Sequence, residues 1–262
     1  MRKKQSLVIL LVLFVFIFSF SIFVSADELT GREIMEKVYN RNTGQSRKAN
    51  LEMILINNRG DERIRELKQF QRDFGNVEKK IMFFISPQDV RGTSFMNWTY
   101  EDNREDSQWI YLPALGKIKR ISAENKSDNF MGSDFTYDDL GERNIDEDNH
   151  SLIKTEEVRG EDCYVVKNIP KEQDYMYSKT ITWVSKDNLI GLKKEFYDQE
   201  GNLLKVLTVR EYQVINGIVT ITHSEMENVQ KDHKTILKLD EVNYNTEIPE
   251  NRFTERSMKI GI

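Results

Sequence analysis

From residue 49 onward the chain alternates apolar and polar positions in short runs broken by polar turns, the period of half-buried strands. Runs 49–57 and 63–71 flank Asn58-Arg59-Gly60-Asp61, and run 77–85 ends in the apolar stretch 81–85 before Ser86-Pro87. Two aromatic-rich runs, 93–100 and 108–112, enclose the polar turn 101–107, and a basic run, 117–122, follows. Beyond residue 150 the same pattern returns in runs 151–158, 163–169, 180–185, 190–197, 203–213, 218–227 and 235–244, with turn residues such as Asn216-Gly217 between them. Strand–turn–strand pairs with short loops predict a meander of antiparallel hairpins. One helix is predicted over 29–41: Thr30 and Glu33 make a capping box, Leu29 can staple to Ile34, and Ile34, Met35, Val38 and Tyr39 share one face. A helix apolar on one side needs a sheet to cover.

The stretch 86–140 carries most of the rings. Residues 130–140 set Phe130, Met131, Phe135, Tyr137 and Leu140 among small or acidic residues, with no nucleophile–base pair and no metal-ligand spacing. Such a stretch is suited to holding something apolar. Ser86-Pro87-x-Asp89-x-x-Gly92-Thr93, then Trp109-Ile110-Tyr111-Leu112-Pro113-Ala114-Leu115, then Arg120-Ile121, then Phe130-Met131-Gly132-Ser133-Asp134-Phe135-Thr136-Tyr137-x-Asp139-Leu140 resemble the outer-membrane lipoprotein-sorting protein family, the LolA-like group of periplasmic lipid carriers. Two positions depart: Met96 stands where Leu is expected, and Lys119 where a second Arg is usual. The resemblance implies an α+β, mostly β fold of LolA/LolB type: a strongly curved antiparallel sheet, a half-open barrel, covered by helices over an apolar cavity for acyl chains.

The N-terminus changes the picture of where the chain works. Residues 1–26 have the form of a signal peptide: Arg2, Lys3 and Lys4, an uncharged run over 7–24, and Val24-Ser25-Ala26 before Asp27. An uncleaved anchor facing the periplasm or cell exterior is the alternative, since the run approaches the length of a short membrane span. Residues 27–262 are then expected to form a single domain. Losing three basic residues and no acid takes the formal charge from −5 to −8, which excludes electrostatic attraction to nucleic acid or to an anionic membrane. Cys163 is the one cysteine, so no intramolecular disulfide is possible.

The chemical candidates are few. His150, His223 and His233 lack ligand spacing and read as surface histidines, and Cys163, opening a strand, reads as a buried thiol. Asp134, Asp138, Asp139 and Glu142 form the densest acidic group; capping or structural roles are expected, with Asp134 accepting backbone N–H groups at the Gly132-Ser133 turn. No catalytic set, metal or cofactor is expected. The leading expectation is a monomeric periplasmic carrier or chaperone for a lipidated protein or another lipid, with Phe95, Trp98, Trp109, Tyr111, Phe130, Met131 and Phe135 lining the cavity. Trp109 and Phe130 are placed in the apolar interior beneath the cover. Lys117, Lys119 and Arg120 form a rim for a head group or an acidic partner. The alternative is a non-enzymatic envelope protein that binds a protein partner, such as an inner-membrane export complex or an assembly machine.

Overall fold

The computed structural model describes residues 29–262 apart from residue 103; the expected signal peptide lies outside them. Helix α1 (Gly31–Tyr39) starts at Thr30, whose hydroxyl accepts from the Glu33 N–H while the Glu33 carboxylate accepts from the Thr30 N–H. The capping box therefore satisfies donors at both ends of the first turn. Thirteen strands follow: β1 (Ser46–Ile56), β2 (Glu62–Asp73), β3 (Val77–Ser86), β4 (Ser94–Tyr100), β5 (Ser107–Leu112), β6 (Lys117–Ile121), β7 (Asp148–Val158), β8 (Glu161–Pro170), β9 (Lys179–Ser185), β10 (Gly191–Tyr197), β11 (Leu203–Ile215), β12 (Ile218–Asn228) and β13 (His233–Tyr244). Helix α2 (Glu255–Ile260) closes the chain.

All thirteen strands join one curved, open antiparallel sheet in the order β6-β5-β4-β3-β2-β1-β13-β12-β11-β10-β9-β8-β7. Two meanders run outward from the middle, and the β1–β13 pair joins them. Tight turns make this possible. Asn216 and Gly217, both at positive φ, join β11 to β12, the backbone hand that matches strand twist.

Alternation along each strand separates an inner from an outer face. On the inner face Leu51, Met53, Leu55, Leu67, Met82, Phe84 and Phe95 pack together around Phe130. On the outer face Ile81, Phe83 and Met96 lie under the C-terminal segment, where Ile248, Phe253 and Met258 cover them. Phe253 lies over the sheet with its ring almost fully buried. Strand β9 is buried on both faces along most of its length, unlike the half-buried strand its alternation predicts, because Trp183 packs outward with Cys163 and Val165 while Val184 packs against Ile34 of α1.

The cover is less helical than expected. Helix α1 lies over β7–β9, and Gly31 sits so close to the backbone of Ser151 and Leu152 that an added Cβ would fall 2.5 Å from the Leu152 nitrogen. The remaining inner cover is an irregular strap, residues 122–147. It leaves the edge strand β6, crosses the inner face and enters the opposite edge strand β7. The apolar–acidic stretch singled out in the sequence is the middle of this strap.

Candidate functional site

The strap turns on itself at Met131 and Gly132, both at positive φ, and Phe130 N–H donates to Phe135 O at 2.7 Å across the turn. This drives the Phe130 ring into the sheet. It lies 5.1 Å from the Phe95 ring, 5.9 Å from Phe84 and 5.6 Å from Tyr137, with no solvent exposure. Phe135 enters a neighbouring cluster with Tyr177, Phe196 and Met226.

Polar pins fasten the strap to strands from both meanders. Arg65 donates to Met131 O, Lys80 to Leu140 O and Gln108 to Tyr137 O. Asp134 is held by the Thr235 hydroxyl and the His233 ring, both at 2.7 Å, and its own N–H donates back to Thr235. This corrects the expected local turn role: the carboxylate anchors the strap to β13, about a hundred residues away. Asp139 accepts from Lys205 at 2.5 Å and from the Tyr177 hydroxyl at 3.1 Å, and Asp138 accepts from the Tyr175 hydroxyl. Burial raises the Asp138 carboxyl above its ordinary range, and burial with the nearby carboxylates raises both tyrosine hydroxyls. The hydroxyls therefore stay protonated as donors.

The seven expected lining residues divide between the two faces. Phe95, Phe130, Met131 and Phe135 belong to the inner clusters or pack against them. Trp98, Trp109 and Tyr111 project from the outer face, where they pack with Phe83, Met96 and Phe253 and the two indoles meet at 5.2 Å. Trp109 therefore does not share the space beneath the strap with Phe130, which corrects its expected placement. Lys117, Lys119 and Arg120 are exposed on the edge strand β6, a common means of keeping an open edge from pairing.

Two of the three histidines differ from the surface reading. His150 bonds Asn168 and Ile145 O, and His233 holds Asp134. Cys163 is fully buried as expected, and desolvation pushes its thiol up to about 11. Among the described residues no group of three His, Cys, Asp or Glu side chains could hold a metal ion.

Sequence reasoning missed a polar zone beside the apolar cluster. Register aligns Arg47, Gln71, Lys80, Asn97 and Gln108 in one inner-face row across β1 to β5. Gln108, at the β5 end of the row, lines a cleft of about 760 Å³ enclosed by Tyr39, the β4–β5 turn, the polar parts of the strap and residues 171–176. The signal lay in the registers, since the five residues come from five separate strands.

An open antiparallel sheet with one face stoppered by its own edge-to-edge connection defines a binding module. Solved structures place it further. A putative outer-membrane lipoprotein-sorting protein domain from Vibrio parahaemolyticus is 35% identical over 87% of this chain and 98% of its own, with a TM-score of 0.82. A DUF1329 family protein from Desulfovibrio piger is 29% identical over 87% and 97%, with a TM-score of 0.83. A LolA superfamily protein from Nitrosomonas europaea, at 21% identity over 88% and 100% and a TM-score of 0.67, shares the fold. A family model described only as "uncharacterized protein" matches residues 76–260. Comparison with curated proteins finds no match. The chain belongs to the outer-membrane lipoprotein-sorting protein family.

Proposed function

We propose that the protein is a periplasmic carrier or chaperone that shelters the acyl chains of a lipidated protein or another lipid against the inner face, without performing chemistry on them. The observation that carries this reading is the form of the cover over Leu51, Met53, Leu55, Leu67, Phe84 and Phe95: a connecting strap whose main apolar contact is Phe130. Covering an apolar face with a detachable plug keeps it dry when empty and opens it to a ligand. Burying one aromatic side chain is worth about 1.5–3 kcal/mol, whereas a fully covered C16 chain gains on the order of 10 kcal/mol at about 0.8 kcal/mol per methylene. An entering chain can therefore displace the ring and retain a net gain. The ring's competition also keeps the chain from being held too tightly to hand over. In this reading Phe95, Met131 and Phe135 line the opened site, and Lys117 and Lys119 on the β6 rim meet a head group or an acidic partner.

The domain spans residues 27–262, and the working location is the periplasm after removal of residues 1–26 or while tethered by them. Among the described residues no helix is long and apolar enough to cross a membrane. The test is mass spectrometry of solvent extracts of the purified protein, together with titration by a fluorescent fatty acid. Co-purifying lipid and saturable binding are expected. A protein that is consistently lipid-free and does not bind the fatty acid overturns the reading.

A further inference from the structure

The polar row of the inner face runs from Gln108, on the 760 Å³ cleft, to Arg47, which lines a second pocket of about 190 Å³ between the α1–β1 connection and strands β12 and β13. Local packing brings a second arginine there. Gly44, at positive φ, lets the connection lie against Tyr244: an added Cβ would fall 2.8 Å from that ring and 2.9 Å from the Ile218 side chain. Arg41, three residues earlier, reaches the start of β12 and donates to Val219 O at 3.3 Å. Tyr244 is fixed in turn by its hydroxyl, 2.9 Å from that of Thr220.

The pocket has the opposite charge to the molecule. The exported chain is acidic, yet two guanidiniums line this pocket and, among the described residues, no carboxylate lines it or pairs with either. Both arginines bond neutral groups, the Val219 carbonyl and, at 2.7 Å, the Gln71 amide oxygen. Arg47 Nε is buried without a partner. Burial works against the positive charge of Arg41, and the neighbouring Arg47 adds to that, by more than Tyr244 and Glu142 offset. An anion held by the two arginines relieves both effects, since a carboxylate or phosphate accepts paired N–H bonds from a guanidinium. The other wall is apolar. Leu237 and Leu239, on β13, line the pocket and also pack against the inner cluster around Phe130. A ligand with its anion on Arg41 and Arg47 can therefore run its chain along these leucines into the region that the strap plugs.

We propose that this pocket takes the anionic end, a carboxylate or a phosphate, of an acyl ligand lying on the inner face. The proposal deepens the carrier reading and rests on it. It places the anion at the middle of the sheet, away from the β6 edge, and leaves Lys117 and Lys119 there to an acidic partner. Neither arginine is among the pins of the strap.

The experiment compares dansylundecanoic acid with its methyl ester by fluorescence titration at neutral pH. The proteins are the full exported chain, its Arg41→Gln and Arg47→Gln variants, and the double variant. The parent should bind the acid about tenfold or more tighter than the ester, the worth of a charge-assisted hydrogen bond. Each single variant should lose most of that preference, and the double variant all of it. The acid-to-ester ratio compares two ligands on the same folded molecules, so a variant that folds poorly still reports. Inorganic phosphate, added as a competitor, should displace the acid only weakly, because it buries no chain. Equal affinity for acid and ester in the parent overturns the proposal and leaves the carrier reading standing. A preference that persists in the double variant does the same, since the anion then sits elsewhere. Binding of neither compound overturns both. Phosphate that competes as tightly as the acid binds would make the ligand a free anion and overturns the acyl assignment.

Discussion

Phe130 and Trp109 are rings in the same sequence neighbourhood with different work to do. Phe130 is completely enclosed between Phe84, Phe95 and Tyr137, so truncating it removes a filled volume from the inner cluster. Phe130→Ala should cost about 3–5 kcal/mol, the usual range for a buried aromatic. As the competitor of an acyl chain, however, its loss should raise fluorescent fatty-acid affinity per folded molecule. Trp109→Ala, on the half-exposed outer face, should lower the melting temperature less and leave that affinity unchanged. Reduced affinity in Phe130→Ala would make the ring a binding residue instead of a plug, and reduced affinity in Trp109→Ala would return the outer face to consideration. The register pairs Trp109 with Met96 and Ile110 with Phe95, and alternation sets Trp109 and Tyr111 opposite Ile110 and Leu112. It could not say which face lies under the strap and which under the C-terminal segment, because both covers come from elsewhere in the chain. The acids show the same limit: their density was plain, but Thr235, His233 and Lys205, which give them partners, are about 66 to 101 residues away.

At the scale of elements, the helix, the hairpin pairs and the edges of most strands were readable because local chemistry sets them: a capping box, glycine at positive φ, a period of two. The strap was visible only as a biased composition. Its path follows from topology, since β6 and β7 are the two free edges and one connection must join them. Its hold is concentrated at the Lys205–Asp139 pair, where the side chains are 3% and 7% exposed and the ammonium lies 5.0–5.1 Å from the Phe196 and Tyr177 ring centroids. Breaking a buried pair by removing one member strands the other charge, at about 3–5 kcal/mol. Lys205→Met should destabilise by roughly that amount in urea unfolding, and hydrogen exchange should quicken across residues 130–140 first. The double variant Lys205→Met/Asp139→Asn should recover part of the loss, because no unpaired charge remains. Uniform loss of protection through the sheet, with the strap no faster than its neighbours, would mean that the pair supports the core and does not latch the strap.

At the scale of the whole molecule, the strap divides the inner face into a dry region around Phe130 and a wet, charged one around Glu142, and the second leaves a mark on the pH dependence of stability. Water reaches Glu142, but the cleft walls partly desolvate it, and Glu78 and Asp106 repel its charge; together they push the carboxyl up to about 6, against the opposing pull of Lys80 and Arg41. A native carboxyl that holds its proton to higher pH than the unfolded chain binds more protons than the unfolded state between about 4.5 and 6. Stability contributed by this group therefore falls as pH rises through that window and stays reduced above it. Carboxylates held low, such as Glu33 by the Thr30 N–H and Glu225 by Arg210, act in the opposite sense, so the total profile mixes both. Comparing Glu142→Gln with the parent isolates the one group. The variant should gain thermal stability relative to the parent above pH 6 and lose that advantage toward pH 4.5. An advantage that is constant with pH would mean that Glu142 ionises as it does in the unfolded chain. A variant less stable above pH 6 would mean that Lys80 or Arg41 already pairs with this carboxylate in solution.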